Sequence, residues 1–411
     1  MRHFIPAALR ERHFRRFMFG FTLSLISRNM VPVVVAFALY EAGRGAAAVS
    51  SVLAAETAPL VIFMLVGGVV ADKFPRRDVM AYANFLRFFS QALLAILFFT
   101  HCTPLWAIMA LMACIGIGGA FFAPGLQGLI PELVPDQHLQ SANGISSMAQ
   151  AIGSVTGPAL GGLLVAAAGG AFAIALDSAS YLICAVILFT LPKQADKSDS
   201  EENVITLLKE GWTEFFGRKW IWVSVLQFTI LHLVVIGPLF VLGSLRFAHV
   251  AHGALGWGGL LSLMGAGTVV GSLVAMRCKP RFPLRVATCT LFTFALLPAS
   301  LAANLSYAIT GACFLACGLC MPLYGVLWTT LMQTKVPKDK LSRVTSYDYV
   351  GSICLLPVGY ALAAPMASWL TLSGALWFGA GVVVVSTILV LLVKEVWTIE
   401  SEPEVTSPKA V

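Results

Sequence analysis

Charge is what this sequence has least of. Only 11% of its 411 residues are Asp, Glu, Lys or Arg, against about 25% in an average soluble protein. So few charges exclude a disordered chain and cannot cover the surface of a soluble domain. The polar–apolar alternation of a membrane β-barrel is missing too, because apolar runs here last about twenty residues. There is no Gly-x-x-x-x-Gly-Lys-Ser/Thr loop, no His-Glu-x-x-His and no Gly-x-Ser-x-Gly. These absences disfavour an ATP-driven pump and a hydrolase, and the chain is read as neither an enzyme nor a cofactor binder. Residues 1–16 hold five arginines and no apolar core ending in a cleavage site, so no signal peptide is expected. Nine cysteines fall mostly in apolar runs, where Cys is a small hydrophobe. Cys313, Cys317 and Cys320 share a helical spacing but have no His or acid in their run, so no metal site is expected.

Hydrophobic residues make up 58% of the chain, and its mean hydropathy is +0.85. Twelve apolar segments emerge, at 17–40, 46–71, 78–100, 104–123, 142–168, 170–191, 220–246, 254–276, 284–302, 305–330, 344–370 and 373–394. Each is long enough to cross a hydrocarbon core of about 30 Å. The sequence therefore predicts an all-α polytopic membrane protein with twelve transmembrane helices in two six-helix bundles. Of 27 Lys and Arg, 23 lie in alternate loops and the tails, two on the opposite side (Arg44 and Arg246) and two inside spans. The positive-inside rule places both termini in the cytoplasm of a cell that holds the chain in its inner or plasma membrane. The net charge of +7 is explained this way, and no nucleic-acid partner is expected.

The longest polar stretch, 192–219, divides six spans from six. The expected organisation is an N-terminal bundle over 1–192, a cytoplasmic linker over 193–219, a C-terminal bundle over 220–394 and a cytoplasmic tail over 395–411. Within the linker, Val204–Phe216 has amphipathic spacing and is expected along the membrane surface. The halves repeat. Leu-Val-Pro-Asp-Gln-His-Leu at 133–139 resembles Lys-Val-Pro-Lys-Asp-Lys-Leu at 335–341, and Gly67 is matched by Gly271. Repeated six-helix halves around a midplane site are a transporter architecture.

The loop after segment 2 reads Gly67-Gly68-Val-Val-Ala-Asp72-Lys73-Phe-Pro75-Arg76-Arg77. Glycine permits close helix approach, while the acid and the bases suit helix ends. This stretch resembles the Gly-x-x-x-Asp-Arg/Lys-x-Gly-Arg-Arg/Lys signature of the major facilitator superfamily. The resemblance implies a cytoplasmic latch of Gly68, Asp72, Lys73, Arg76 and Arg77, made when that side is closed. Pro75 replaces the second glycine, and the second half carries Met276 at the acid position. Segment 5 has Gly153, Gly157, Pro158, Gly161 and Gly162 in an order similar to the antiporter motif of the superfamily's exporters. Gly116 to Pro124, Ser141-Ala-Asn143-Gly and Leu176-Asp177-Ser-Ala-Ser-Tyr look like the macrolide-efflux and enterobactin-exporter group. Many drug–proton antiporters carry an arginine four residues before the glycine at 116, where Met112 stands here, so their coupling scheme does not transfer unaltered.

Ionisable groups in hydrocarbon are costly and therefore functional candidates. Arg28, Glu56, Arg87, Asp177 and His232 are these candidates, for coupling or for substrate. His232 is the repeat partner of Arg28, 204 residues on. Asn84, Arg87 and Gln91 share one face of segment 3 and are expected to wall a wet cavity. Arg28 and Glu56 sit at similar depth on consecutive spans and are expected to form a midplane ion pair. The resemblance implies a cavity lined by segments 1, 2, 4, 5, 7, 8, 10 and 11, with Phe121, Phe122, Tyr324 and Trp328 as candidate apolar contacts. The expected protein is a monomeric, proton-coupled secondary transporter that expels a small amphiphilic molecule such as a drug, siderophore or secondary metabolite. The alternative is a transporter or flippase of an anionic metabolite or lipid.

Overall fold

In a computed structural model, residues 7–192 and 212–400 are described; among them no strand occurs, and eleven helices are long and apolar enough to span a membrane. They are α1 (Arg12–Glu41), α2 (Ala46–Lys73), α3 (Arg76–Phe99), α4 (Leu105–Leu133) and α5 (Leu139–Phe189) in the first half. The second half has α6 (Lys219–Phe247), α7 (Gly253–Ala275), α8 (Pro283–Ala302), α9 (Tyr307–Lys335), α10 (Val344–Leu370) and α11 (Leu372–Leu391). The span within α5 is 49 residues long, about 70 Å at 1.5 Å per residue, more than twice a hydrocarbon core. It breaks at Gly169, whose φ of 82° is a conformation that favours glycine. There the Gly170 amide donates to Glu41 Oε2 at 3.0 Å, tying the break to the end of α1. α5 thus crosses twice, which makes twelve crossings in two six-helix bundles.

The sequence repeat is a structural repeat. Gly67 on α2 packs against the Ala120 carbonyl of α4, and Gly271 on α7 packs against the Leu319 carbonyl of α9. Gly157 on α5 rests on Ile26 and Asn29 of α1, as Gly359 on α10 rests on His232 and Leu233 of α6. Small residues let these backbones touch, which is how helices associate in lipid without a hydrophobic drive between them. Tyr40 Oη and Ser244 Oγ, 204 residues apart, meet at 3.1 Å where the halves join. α6 widens into a π turn over His232–Ile236. Pro238 has no N–H to offer the Val234 carbonyl, and the wider turn accommodates that loss.

Of the expected amphipathic helix, most falls outside the described residues, but 212–217 is helical. Phe215 is buried and packs at a tilt against Tyr347, 6.0 Å between ring centres. Glu214 bonds Arg218 at 2.6 Å and Lys340 at 3.0 Å. These cations, Arg218 first, hold its carboxyl below the usual range. A lowered carboxylate pKa contributes stability above the ordinary value of about 4.3 and loses it as pH falls through the lowered one. Lys340→Ala should therefore cost up to about 1 kcal/mol at pH 7 and less than that at pH 3, by thermal unfolding. A loss of equal size at both pH values would contradict this.

Candidate functional site

The halves meet along two seams, α5 on α7 and α2 on α10. On the first, Gly162 faces the Ala254 carbonyl, Gly258 the Pro158 carbonyl and Gly265 the Ser154 carbonyl. These contacts run from the end of the molecule farthest from the basic loops down to mid-depth. Below them the same two helices part, and Ser147 and Gln150 of α5 face Thr268 and Ser272 of α7 across a cavity. The cavity is about 740 Å³, within the range of small-molecule sites. It is closed at the far end and opens toward the basic loops.

The segment-5 motif has two faces. Gly153, Gly157 and Gly161 pack on Leu25, Asn29 and Met30 of α1 inside the first half, whereas Pro158 and Gly162 meet α7 of the other half. The first row fixes α1, and with it Arg28, which points into the cavity and is exposed there. Glu56 lines the cavity from α2. Its backbone is held by Gly116 of α4, where any β-carbon would collide with the Glu56 carbonyl. Arg28 and Glu56 share the cavity as expected, but no ion pair joins them among the described residues. Asn29, Thr57, Gln150, Ser154, Tyr349 and Tyr360 add to the polar lining. Ser147, Gln150 and Ser154 recur at three and four residues along segment 5, a small-polar stripe that gave a readable signal.

Arg87, Asn84 and Gln91 do not wall the cavity; all three are buried inside the first half. Gln91 Nε2 donates to Asp177 Oδ2 at 2.7 Å, so the polar face of α3 is turned to the second limb of α5. The Arg87 guanidinium lies over the rings of Phe122 and Tyr181 at 5.4 and 5.3 Å. Gly118 and Gly119 of α4 leave the room it occupies. A buried partner on another helix satisfies a polar face as well as water does, and periodicity alone does not separate the two. Asp177 Oδ1, Arg87 Nε, Asn84 Nδ2 and Gln91 Oε1 have no hydrogen-bond partner. His232 is likewise absent from the lining; its Nδ1 lies 2.8 Å from the Phe228 carbonyl within α6.

At the basic end, Arg76 Nη1 donates to the Gly128 carbonyl and to Glu132 Oε1, both at 2.9 Å. Arg77 Nη1 donates to the Leu191 carbonyl at 2.7 Å. These bonds stay within the first half. Lys73 is exposed, and the Asp72 side chain lies outside the described residues. Gly67, not Gly68, packs on the neighbouring helix, and a side chain at Gly68 would meet nothing within 4 Å.

The expected lining from segments 4 and 10 is not found in this cavity, which is built by α1, α2, the first limb of α5, α6, α7 and α10. Phe122 is buried against Phe21, 6.3 Å between ring centres, and Met112 is fully buried in apolar core. Tyr324 and Trp328 line a separate pocket in the second half. Asp348, which sequence reasoning passed over, lies there too and accepts from Trp328 Nε1 at 2.9 Å.

A family model described as Major Facilitator Superfamily matches residues 17–352. The chain belongs to that superfamily. It is similar to macrolide efflux protein A of Streptococcus pyogenes, with 28% identity over 382 residues, 87% of this chain and 91% of that one. It is also similar to the enterobactin exporter of Salmonella typhimurium, with 26% identity over 373 residues and 84% of each chain. In fold, this superfamily member matches the nucleoside transporter NupG with a TM-score of 0.74 at 12% identity, covering 94% and 100% of the chains. A bacterial homologue of the iron transporter ferroportin, solved in an inward-facing state, matches at 0.67 with 18% identity, covering 92% and 98%.

Proposed function

We propose that this protein is a monomeric secondary active exporter of the cell membrane that moves small amphiphilic molecules outward in exchange for protons. The observation that carries the reading is the central cavity, closed at the far end, open toward the basic loops, and holding Arg28 and Glu56. The excess of Lys and Arg at that end supports a cytoplasmic placement of both termini. Substrate then loads from the cytoplasm or inner leaflet. Closure at the basic end brings the latch bases toward the second half, and opening requires the α5–α7 seam to part. Glu56 is the one carboxylate lining the cavity among the described residues. On the outside a proton neutralises it and substrate leaves; on return the proton is lost inward. A neutral Glu56 lowers the cost of moving the empty carrier through its occluded form. The relatives named for macrolide and enterobactin efflux support the outward direction.

Arg28, exposed and unbridged, favours the second reading in one respect, since it offers an anion a counter-ion. An accumulation panel on a deletion strain, covering macrolides, catecholate siderophores and anionic lipids, tests both. The exporter reading expects at least one amphiphile to accumulate several-fold in the deleted strain. Equal retention of every neutral and cationic compound, with an anionic lipid redistributed, would overturn it.

A further inference from the structure

The second half contains a side pocket of about 270 Å³ that the central site does not use. It lies between α6, α8, α9 and α10, and its walls are aromatic: Phe228, Phe294, Tyr324, Trp328 and Tyr349. Phe228 and Tyr324 lie 4.9 Å apart, and Tyr324 stacks on Trp328 at 6.0 Å. One carboxylate, Asp348, faces this wall and is fixed by the Trp328 indole N–H at 2.9 Å. Among the described residues no Lys, Arg or His forms an ion pair with it. An anion within a span is expensive without a counter-charge, and such groups mark substrate paths. The electron-rich ring faces around it attract a cation in their own right.

We infer that this side pocket binds the ammonium head of an amphiphilic organic cation, with Asp348 as counter-ion and the rings of Phe228, Tyr324 and Trp328 as its cage. The volume suits a tertiary or quaternary amine and is too small for a whole drug-sized molecule. Tyr349, half-exposed, lines both this pocket and the central cavity. The head is therefore held in the second half while the apolar body lies in the cavity. A neutral donor would leave the charge of Asp348 uncompensated, whereas an ammonium supplies the missing counter-charge. As a way-station for exported substrate, the pocket rests on the exporter reading. As a binding site it does not.

Equilibrium binding of radiolabelled benzyltrimethylammonium to the purified full chain in nanodiscs, without any gradient, tests the assignment. Saturable binding is expected, with the neutral isostere neopentylbenzene failing to compete. Asp348→Asn keeps an acceptor for Trp328 and should weaken binding about tenfold or more. Phe228→Leu and Tyr324→Leu leave the carboxylate in place and should each weaken it several-fold. They serve as the test if Asp348→Asn does not fold. No saturable binding by folded wild type, equal competition by the neutral isostere, or wild-type affinity in folded Asp348→Asn would overturn the proposal. So would wild-type affinity in both ring variants. Binding at Asp348 with no export in vesicles would fail the exporter reading and leave the site standing. Export with no binding at Asp348 would fail the site alone.

Discussion

Gly258→Val should abolish export while the protein still folds and reaches the membrane. A β-carbon at Gly258 runs into the Pro158 carbonyl and lies 3.5 Å from Gly162 Cα, so the clash is with backbone of the opposite half and no rotamer relieves it. Packed helix interfaces respond to such a wedge by adopting their other arrangement rather than by deforming smoothly. The far-end seam should stay apart, and transport should fall by more than tenfold. In a background carrying Cys102→Ser, a cysteine placed at Ala254, buried in the far-end seam where its carbonyl faces Gly162, should label faster from outside. Gly157→Val differs in kind. Its side chain meets Asn29 and the Ile26 carbonyl within one half, so it should cost about 1–3 kcal/mol of stability as overpacking does, without exposing Ala254. Wild-type export by Gly258→Val would mean that the α5–α7 seam does not need to close.

Glu56→Gln should have an effect of similar size on coupled transport and almost none on folding. Glutamine keeps the shape and loses the charge, and in the open cavity Glu56 bridges no cation within 4 Å among the described residues. The structure therefore changes one expectation drawn from the sequence. Breaking a buried pair costs about 3–5 kcal/mol, but with no bridge in this state, Arg28→Gln and Glu56→Gln should both fold. Gradient-driven export by Glu56→Gln should fall more than tenfold, while downhill exchange of substrate persists. Full gradient-driven export by that variant would assign the coupling elsewhere, with Asp177 the next carboxylate in the same half.

Much of the architecture was legible in the sequence because bilayer thickness sets the length of every apolar run, and the break at Gly169 falls between the two segments that were marked there. The repeat was legible as well, since close helix contact requires glycine at matching places such as Gly67 and Gly271. Which way each polar face turns was not. Asn84, Arg87 and Gln91 have the spacing of a cavity wall, and only the packing inside the first half shows that Gln91 meets Asp177 and that Arg87 lies on Phe122 and Tyr181. Gly67 and Gly68 differ by about 100° around α2, which decides the one that packs on α4. Asp348 escaped notice because acids near the ends of spans are commonplace. Its enclosure by rings from α6, α8 and α9 is a tertiary fact.

The most direct measurement is proton movement in proteoliposomes loaded with a pH dye and given a substrate gradient alone, with no imposed proton gradient. Proton exchange through Glu56 requires substrate leaving through the wild-type protein to drive protons the opposite way, and Glu56→Gln to pass substrate without that proton signal. Substrate flux through the wild type with no proton movement would contradict it.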